Sequence, residues 1–540
     1  MNRFINSLYE RFLNNFNENF QEWIKIIVQI AFVLLVFIIL HRGLFWTTML
    51  PIDAYYENVI YFGFLKQLVA KPYLLIIVLF FIGFFNKKHL MGWRNFGNNN
   101  SIRYFLIIVT LLLTWFYATY GVNFFFNKVH YPDRILLVVL TFCVYWKPFF
   151  LFPYLTVLLA IIGQFEHLPT FSIATPPFLL IKILILFTAF YTIKLVTKTF
   201  KPVIFIFMLG CLIATHYFTS GLSKFNMYWI FKDPINFLIP SAYANGWLSF
   251  FTAKTIADLT EFLSWLNIPL RLFTIVIECG MLLFFINLKW ARLLIFGAAV
   301  MHLGIFGYSG IFFWMWVVVL MASTFIFSIK KYNLDKIFNK KYLIISIIII
   351  GGGRFWCQAR PLTWCDAPLS YTYKIYGETS DGKRYRLGPN FFSHYDYQFT
   401  LGDVKFWQEQ PRLPIIWGAT SANISNYFNT ERAIKEVFEY EKLNGRLHKN
   451  ANRQKLYEDF LVQYITNWNI KSAYFNFMKP VQALPFLWTS PPSKINDIKQ
   501  AIAHIVIVES TTFYSKKTGF KEIRNQELKR LTIPNSQFKR

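Results

Sequence analysis

Long runs of apolar residues alternate with short polar or basic stretches over the first 350 residues of the chain. The runs fall near 23–42, 73–86, 104–123, 135–150, 151–165, 176–193, 202–219, 270–288, 293–309, 311–328 and 342–353. An apolar helix of about 20 residues spans a bilayer, and several runs are shorter than that. The pattern therefore predicts about nine to eleven membrane segments. Residues 23–353 are predicted to form an all-α polytopic membrane bundle.

The residues before the first run, 1–22, are more polar. Phe4, Leu8, Phe12 and Phe16 recur among them at helical spacing, which is typical of an amphipathic helix at the membrane interface. A cleavable signal peptide would instead place a short apolar run and a cleavage site there. We therefore expect this segment to lead uncleaved into the first span.

A different pattern begins near residue 354. Asp381-Gly382 lies between two alternating runs, Tyr371–Gly377 and Lys383–Leu387, which predicts a β-hairpin. Further candidates are a strand that continues over 396–401, helices over 431–443 and 454–468, and a strand over 503–509. Residues 354–515 are predicted to form a smaller α+β soluble domain, and 516–540 a basic polar tail.

Composition supports the membrane class and limits the partners. Apolar residues make up 55% of the chain, and the formal net charge is +27. Such a charge can indicate nucleic-acid binding, but in a multispanning chain it reflects basic loops and attraction to anionic lipid. We therefore exclude nucleic acid and expect the lipid bilayer as a partner.

The basic residues cluster at alternate connections between the runs. The clusters are Lys87, Lys88, Arg94 and Arg103; Lys147; Lys194, Lys198 and Lys201; Lys289 and Arg292; and Lys330, Lys331, Lys336, Lys340 and Lys341. If the N-terminus is cytoplasmic and every run crosses, all of them lie inside, as the positive-inside rule requires. Lys128 and Arg134 are exceptions. The sequence thus predicts a multi-pass protein of the cell membrane, as in a bacterial inner membrane, with an extracytoplasmic domain after residue 353.

The five cysteines divide into two groups. Cys143, Cys211 and Cys279 lie within apolar runs and are expected to pack as small hydrophobic side chains. Cys357 and Cys365 follow the last run, and an exported compartment favours a structural disulfide between them over free thiols. Their spacing is not that of a redox or zinc motif, and no metal site is predicted.

Three ionisable residues, Lys224, Glu278 and His302, interrupt apolar runs. Charged groups are costly in hydrocarbon, so they are expected to face a polar cavity or one another. Desolvation disfavours an ammonium ion, so Lys224 can act as a base. The alternative for Lys224 is a side chain that snorkels to the interface. For Glu278 and His302 the alternative is a hydrogen bond between helices.

A long outer segment, 230–268, is not clearly transmembrane and includes an amphipathic stretch over 252–266. It can cover a lipid-accessible pocket beside Lys224 or form a surface helix without a ligand. We predict the first arrangement, with Lys224, Glu278 and His302 facing one cavity, because a shared wet pocket removes three separate desolvation costs.

The stretch Tyr217-Phe218-Thr219-Ser220-Gly221-Leu222-Ser223-Lys224-Phe225, followed by Trp229, resembles a known signature. It is the tyrosine, glycine, lysine and tryptophan pattern of the horizontally transferred transmembrane (HTTM) domain, which vitamin K-dependent gamma-glutamyl carboxylase and its bacterial relatives share. The runs that contain Glu278 and His302 follow in the family's order. The resemblance covers roughly residues 90–330.

The resemblance implies a reaction. In the carboxylase, the lysine that matches Lys224 deprotonates reduced vitamin K, and the oxygenated product removes a proton from a glutamate side chain before carbon dioxide adds. By resemblance, Lys224, Glu278 and His302 are candidate catalytic residues. Tyr217 and Trp229 are candidate cofactor contacts, and reduced quinone is the implied cofactor. A quinone or lipid ligand and an extracytoplasmic protein substrate are the implied partners.

The chain departs from the carboxylase in two places. The tryptophan-asparagine-asparagine-histidine segment is missing, since the comparable Tyr145-Trp146-Lys147-Pro148 lacks a histidine. The C-terminal domain is also shorter and shows no clear likeness. Two interpretations stay open: a quinol- or lipid-linked, carboxylase-like enzyme, or a non-enzymatic scaffold, transporter or assembly factor that retains the bundle.

Overall fold

A computed structural model describes residues 18–70, 92–93, 100–166, 178–197, 201–328, 334–359, 366–388, 391–392, 395, 404–418, 420–471, 478–488, 498 and 500–534. The predicted run at 73–86, the strand at 396–401 and all but the last residues of the N-terminal segment lie outside these ranges.

The N-terminal two thirds of the chain form helices, as predicted. In chain order they are α1 (Glu18–Thr48), α2 (Ile60–Ala70), α3 (Ser101–Ala118), α4 (Tyr131–Trp146), α5 (Leu151–Gly163), α6 (Phe178–Thr197), α7 (Pro202–Asn226), α8 (Pro234–Ala244), α9 (Ala253–Leu263), α10 (Asn267–Gly280), α11 (Leu288–Ser309), α12 (Trp314–Ile326), α13 (Lys340–Gly351) and α14 (Gly353–Trp356). The described side chains from Leu179 to Tyr191 of α6 are all buried. A helix that is buried all round belongs in the centre of a bundle.

Within the described residues, five helical stretches are long and apolar enough to cross a membrane. They are Phe20–Trp46, Ser101–Ala118, Pro202–Asn226, Ala253–Leu283 and Leu288–Ser309. Three shorter apolar helices accompany them, so the predicted nine to eleven segments require short helices to cross as well. The stretch from 253 to 283 is one helical run, because a turn at Ser264–Leu266 joins α9 to α10.

The two ends of the bundle carry different groups. At one end, Lys341 at the start of α13 pairs with Glu22 at the start of α1. At the same end, Arg292 near the start of α11 donates to the carbonyl of Phe327 after α12, with an N–O distance of 3.0 Å. Because α7 and α11 run away from this end, Lys224 lies at the opposite one.

The C-terminal region contains three longer stretches of helix and four strands. The helices are α15 (Ala422–Tyr427), α16 (Ile434–Asn444) and α17 (Ala451–Lys471), and the strands are β1 (Leu369–Thr379), β2 (Arg384–Leu387), β3 (Ile502–Ser515) and β4 (Gly519–Thr532). The strands form one antiparallel sheet in the order β2-β1-β3-β4. The predicted hairpin is confirmed, with Gly382 in the left-handed conformation at φ +79°. So are the two longer helices and the strand near 503–509.

The prediction of a basic tail over 516–540 is wrong for 519–532, because these residues form β4 along β3, from Ser515 opposite Gly519 to His504 opposite Thr532. β4 is an edge strand with many charged side chains, a composition that protects sheet edges but resembles a tail in sequence. Two register shifts, at Ile507/Val508 and Thr511/Thr512, break the alternation that marks a strand.

The C-terminal domain packs directly on the end of the bundle that carries Lys224. Trp314, at the start of α12, donates its indole N–H to the carbonyl of Leu484 at 3.1 Å. The Trp488 amide donates to the carbonyl of Gly310 at 2.9 Å. Tyr395 is buried against the α3–α4 loop and the end of α5. One continuous apolar core therefore joins the bundle to the domain.

Candidate functional site

Tyr217 and Lys224 lie on one face of α7. Seven residues separate them, which is about two helical turns, and each side chain is only 4% exposed. Pro202 occupies the first turn, where its missing N–H costs nothing. The side chains from Ile204 to Thr215 are buried, so α7 carries Lys224 to its end inside protein and not at a lipid-facing surface.

Gly221 lies between them and permits a close helix crossing. A Cβ atom at this position would lie 2.8 Å from the Cβ of Glu278 and 3.0 Å from the backbone nitrogen of Cys279. Only a glycine allows α7 and α10 to approach so closely. The approach brings Glu278 to Lys224, whose Nζ lies 2.6 Å from Oε1 and 2.8 Å from Oε2.

His302 of α11 is held by Tyr217. The phenol oxygen lies 2.7 Å from Nε2 of the imidazole, and His302 is 7% exposed. Its other ring nitrogen, Nδ1, is buried and makes no hydrogen bond with any residue that the structure describes. The imidazole thus offers one free polar atom inside the bundle.

Aromatic rings enclose this pair of polar contacts. The ring of His302 lies 5.2 Å from that of Phe313 and 5.6 Å from that of Trp316. Trp229 is buried after the end of α7, with its ring centre 5.9 Å from Nζ of Lys224, a distance at which cation–π attraction operates. The five predicted site residues therefore lie in two contacts about two turns apart along α7, Tyr217–His302 and Lys224–Glu278 with Trp229. Their functional roles stay predictions.

The segment 230–268 covers this end of the bundle. Leu238 and Ala242 of α8 belong to an apolar cluster with Phe313 and Trp417, and Phe313 packs on His302. Ile235 donates its amide to Asn267 at 2.9 Å, which ties the start of α8 to that of α10. The covering position agrees with the predicted arrangement, and the cavity beneath it stays a prediction.

A second buried polar contact was not predicted. Lys182 of α6 points its Nζ at Nε2 of His216, 3.4 Å away. His216 precedes Tyr217 on α7, and its Nδ1 lies 2.9 Å from the carbonyl of Leu212. The signal was present, because Lys182 interrupts an apolar run just as Lys224 does. Two neighbouring residues of α7, His216 and Tyr217, therefore contact ionisable residues on two different helices, α6 and α11.

The arrangement suits proton transfer. Lys224 and Glu278 form a buried pair of a base and an acid, and a short hydrogen bond joins Tyr217 to His302. These are the residue types of general acid–base catalysis. Within the described residues, no three His, Cys, Asp or Glu side chains come together as a metal would require.

The predicted disulfide lies partly outside the described residues, since Cys365 falls there. Cys357 is buried and has no disulfide partner among the described residues, and its Sγ lies 3.3 Å from the carbonyl oxygen of Gly353. The structure gives no support to the disulfide, which stays a prediction.

Comparisons with protein-family models, with curated proteins and with solved structures found no match for this chain. The likeness to the HTTM domain therefore depends on the short signature around Lys224. The function proposed below is based on the geometry of the site.

Proposed function

We propose that this protein is a membrane enzyme that removes a proton from a hydroxyl group of a lipid-soluble substrate. Reduced quinone is the substrate class that the HTTM resemblance implies. The contact of Lys224 with both oxygens of Glu278, buried at the end of the bundle, carries the proposal. A base held inside a membrane bundle can meet a substrate that water-soluble bases do not reach.

The pair accepts the proton as a unit. With Lys224 neutral and Glu278 protonated, the amine takes the substrate proton. With both charged, the carboxylate takes it. Either route ends with an ammonium ion beside a protonated carboxyl group and an oxyanion on the substrate, so the two residues titrate together. The ammonium ion then stabilises the oxyanion. We assign Nζ of Lys224 as the atom that meets the substrate, because the long, flexible side chain of lysine extends its amine further than the side chain of Glu278 extends its carboxyl group.

The remaining site residues fit supporting roles. Nδ1 of His302 is free to bind an oxygen of the substrate, with the ring oriented by Tyr217. Trp229 and Trp316 offer flat apolar faces to a planar ring. A carboxylase-like step on an extracytoplasmic protein would then take place where the C-terminal domain meets this end of the bundle.

The orientation of the chain is part of the proposal. Lys147, Lys289 and Arg292 lie at the end of the bundle away from the domain, which supports a cytoplasmic position for that end under the positive-inside rule. The domain is then extracytoplasmic in a bacterial inner membrane. A Ser380→Cys variant should react with a membrane-impermeant maleimide on intact spheroplasts. Labelling only after lysis would overturn this orientation.

A structural role is the second candidate. The Lys224–Glu278 contact joins α7 to α10 and would serve a transporter, an assembly factor or a scaffold equally well. In that case the pair contributes stability and has no chemistry, so variants that restore packing should restore all function.

Binding and turnover of a reduced naphthoquinone test the proposal. Menadiol should quench tryptophan fluorescence of the detergent-solubilised protein, because Trp229 and Trp316 flank the site. Its quinolate reacts with oxygen faster than the quinol, so oxygen-dependent loss of menadiol reports deprotonation. Mass spectrometry of the extracted protein should also find a bound quinone or lipid. Unquenched fluorescence together with a ligand-free extract would refute the enzyme in favour of the scaffold.

A further inference from the structure

A buried carboxyl group outside the membrane helices lies between α8 and the C-terminal domain. Asp366 is 3% exposed. One carboxyl oxygen, Oδ1, accepts a hydrogen bond of 2.8 Å from the amide of Gly418, and the hydroxyl of Ser241 on α8 interacts with the same group. The other oxygen, Oδ2, is buried and makes no hydrogen bond with any described residue.

The surroundings of Asp366 are uncharged. The three stretches that meet there, 234–244, 367–373 and 413–418, carry no Asp, Glu, Lys, Arg or His besides Asp366 itself. The described cations that flank these stretches are engaged elsewhere. Lys374 contacts Ser510 and Glu522, and Arg412 binds Glu509. Lys405 donates to the carbonyl of Ile415. The phenols of Tyr243, Tyr371 and Tyr373 also have other partners. Among the residues that the structure describes, no cation is therefore in place to hold a carboxylate here.

Burial raises the pKa of Asp366 from 3.8 to about 7, and the contacts with Gly418 and Ser241 offset only part of this effect. At mildly acidic pH the group is neutral and fits its apolar site. At alkaline pH it must ionise where the described residues provide no counter-ion, and a buried unpaired charge is costly.

α8 connects this group to the candidate site. Ser241 faces Asp366, while the adjacent Ala242 packs in the cluster that holds Trp417 and Phe313. Phe313 in turn lies against His302. Movement of α8 away from both Trp417 and Phe313 would therefore uncover the side of the bundle where His302 lies.

We propose that Asp366 is a pH-dependent latch: its neutral carboxyl group holds α8 between the C-terminal domain and the candidate site, and its ionisation releases α8. The latch does not depend on the proposed chemistry, because it controls access to the bundle end whatever reacts there. A quinol enzyme or a scaffold would both show it.

The raised pKa of Asp366 in the closed form determines the direction of the pH dependence. The closed form binds the proton more tightly than the open form, so closure is favoured at low pH. It weakens as the pH rises above 3.8, and the change ends once the pH has passed about 7, where both forms are ionised. From these values, the opening equilibrium should rise on the order of 30-fold between about pH 5.5 and about pH 8.

Hydrogen exchange of the intact protein in nanodiscs tests the latch. After correction for the intrinsic exchange rates, the amides of Pro234–Ala244 should lose more than about tenfold in protection between the two pH values. The helix Ile434–Asn444, which contributes neither of the two partners given for Asp366, is the internal control. Protection of α8 that is independent of pH would overturn the proposal.

Two variants identify the titrating group. Asp366→Asn keeps the shape but cannot ionise, so the protection of α8 should become equal at both pH values. Ser241→Ala removes a partner of the ionised form, so the loss of protection should move to higher pH. If Asp366→Asn does not fold, the Ser241→Ala shift decides alone. A pH dependence that survives Asp366→Asn, or an unmoved midpoint in Ser241→Ala, would assign the effect to another group.

Discussion

Two buried pairs of opposite charge, one in the bundle and one in the C-terminal domain, are built in different ways. In the bundle, Glu278 accepts hydrogen bonds from Lys224 alone among the described residues. In the domain, Arg412 binds both oxygens of Glu509, at 2.9 and 3.1 Å. All four side chains are nearly inaccessible to solvent.

The domain pair is the centre of a network. Glu509 also accepts from Thr511, Gln526 and Arg524, and Arg524 binds Glu441 at 2.7 Å. These donors and the charge of Arg412 hold the pKa of Glu509 below its usual range despite its burial. An arginine does not deprotonate in a protein, so this network keeps its charges fixed.

The bundle pair lacks both features. Its cation is a lysine, which can release its proton, and its carboxylate has no other described donor. A proton can therefore move within the pair or arrive from a substrate at little structural cost. The comparison indicates that the domain network serves folding, whereas the bundle pair is arranged for proton transfer.

The largest expected effect is on turnover of menadiol. Lys224→Met removes the amine and should lower the rate by about 10²- to 10⁴-fold, the usual contribution of a general base. Lys224→Arg keeps the charge but not the base, so it should fail as well. Arg412→Lys is the matched control in the domain and should leave the rate per folded molecule unchanged.

An active Lys224→Arg protein would contradict the base role of Lys224. In that case Glu278 would be the acceptor, and Glu278→Gln should abolish the rate in the arginine background. Equal losses in Lys224→Met and Arg412→Lys would instead indicate that both pairs are structural.

A smaller effect, on the free energy of unfolding, distinguishes the bundle pair from the domain pair, because only the domain pair has further hydrogen-bond partners among the described residues. Lys224→Met leaves Glu278 buried without its counter-ion and should cost about 3–5 kcal/mol of unfolding free energy. The double variant Lys224→Met, Glu278→Leu should recover most of this loss without recovering turnover. The double variant Arg412→Leu, Glu509→Leu should recover little of the stability that Arg412→Leu alone loses, because Arg524 and Gln526 then no longer have Glu509 as an acceptor. Unfolding in SDS titrations measures both. Recovery of turnover in the first double variant would favour the scaffold.

Much of this architecture is predictable from local pattern. Apolar runs indicate the helices, and turn residues such as Asp381-Gly382 fix the hairpin. The position of Lys224, Glu278 and His302 inside apolar runs indicates that they are candidate site residues. What the pattern does not contain is pairing across the fold. The contact of Lys224 with Glu278 joins residues 54 positions apart, so it depends on how α7 meets α10.

Two other features were hidden for related reasons. β4 was not recognised, because an edge strand needs little apolar surface and its register shifts break the alternation. Asp366 was not singled out, because it lies in a polar stretch where an acid is ordinary. Only the packing of α8 against the domain removes it from water. Whether an ionisable residue is buried thus depends on elements that are distant in sequence, which a local pattern does not show.

The smallest expected effect concerns the glycines that set helix distance. Gly221→Ala places a methyl group 2.8 Å from the Cβ of Glu278, so α7 and α10 must separate. We expect a loss of about 1–3 kcal/mol in stability, as in other overpacked cores, and slower menadiol turnover as the pair lengthens. Gly304→Ala on α11 is the matched control, since nothing lies within 4 Å of its Cβ position. It should gain up to about 1 kcal/mol through helix propensity. Equal effects of the two substitutions would show that the close approach at Gly221 does not position Glu278. The contact between Lys224 and Glu278 would then not depend on a short distance between α7 and α10.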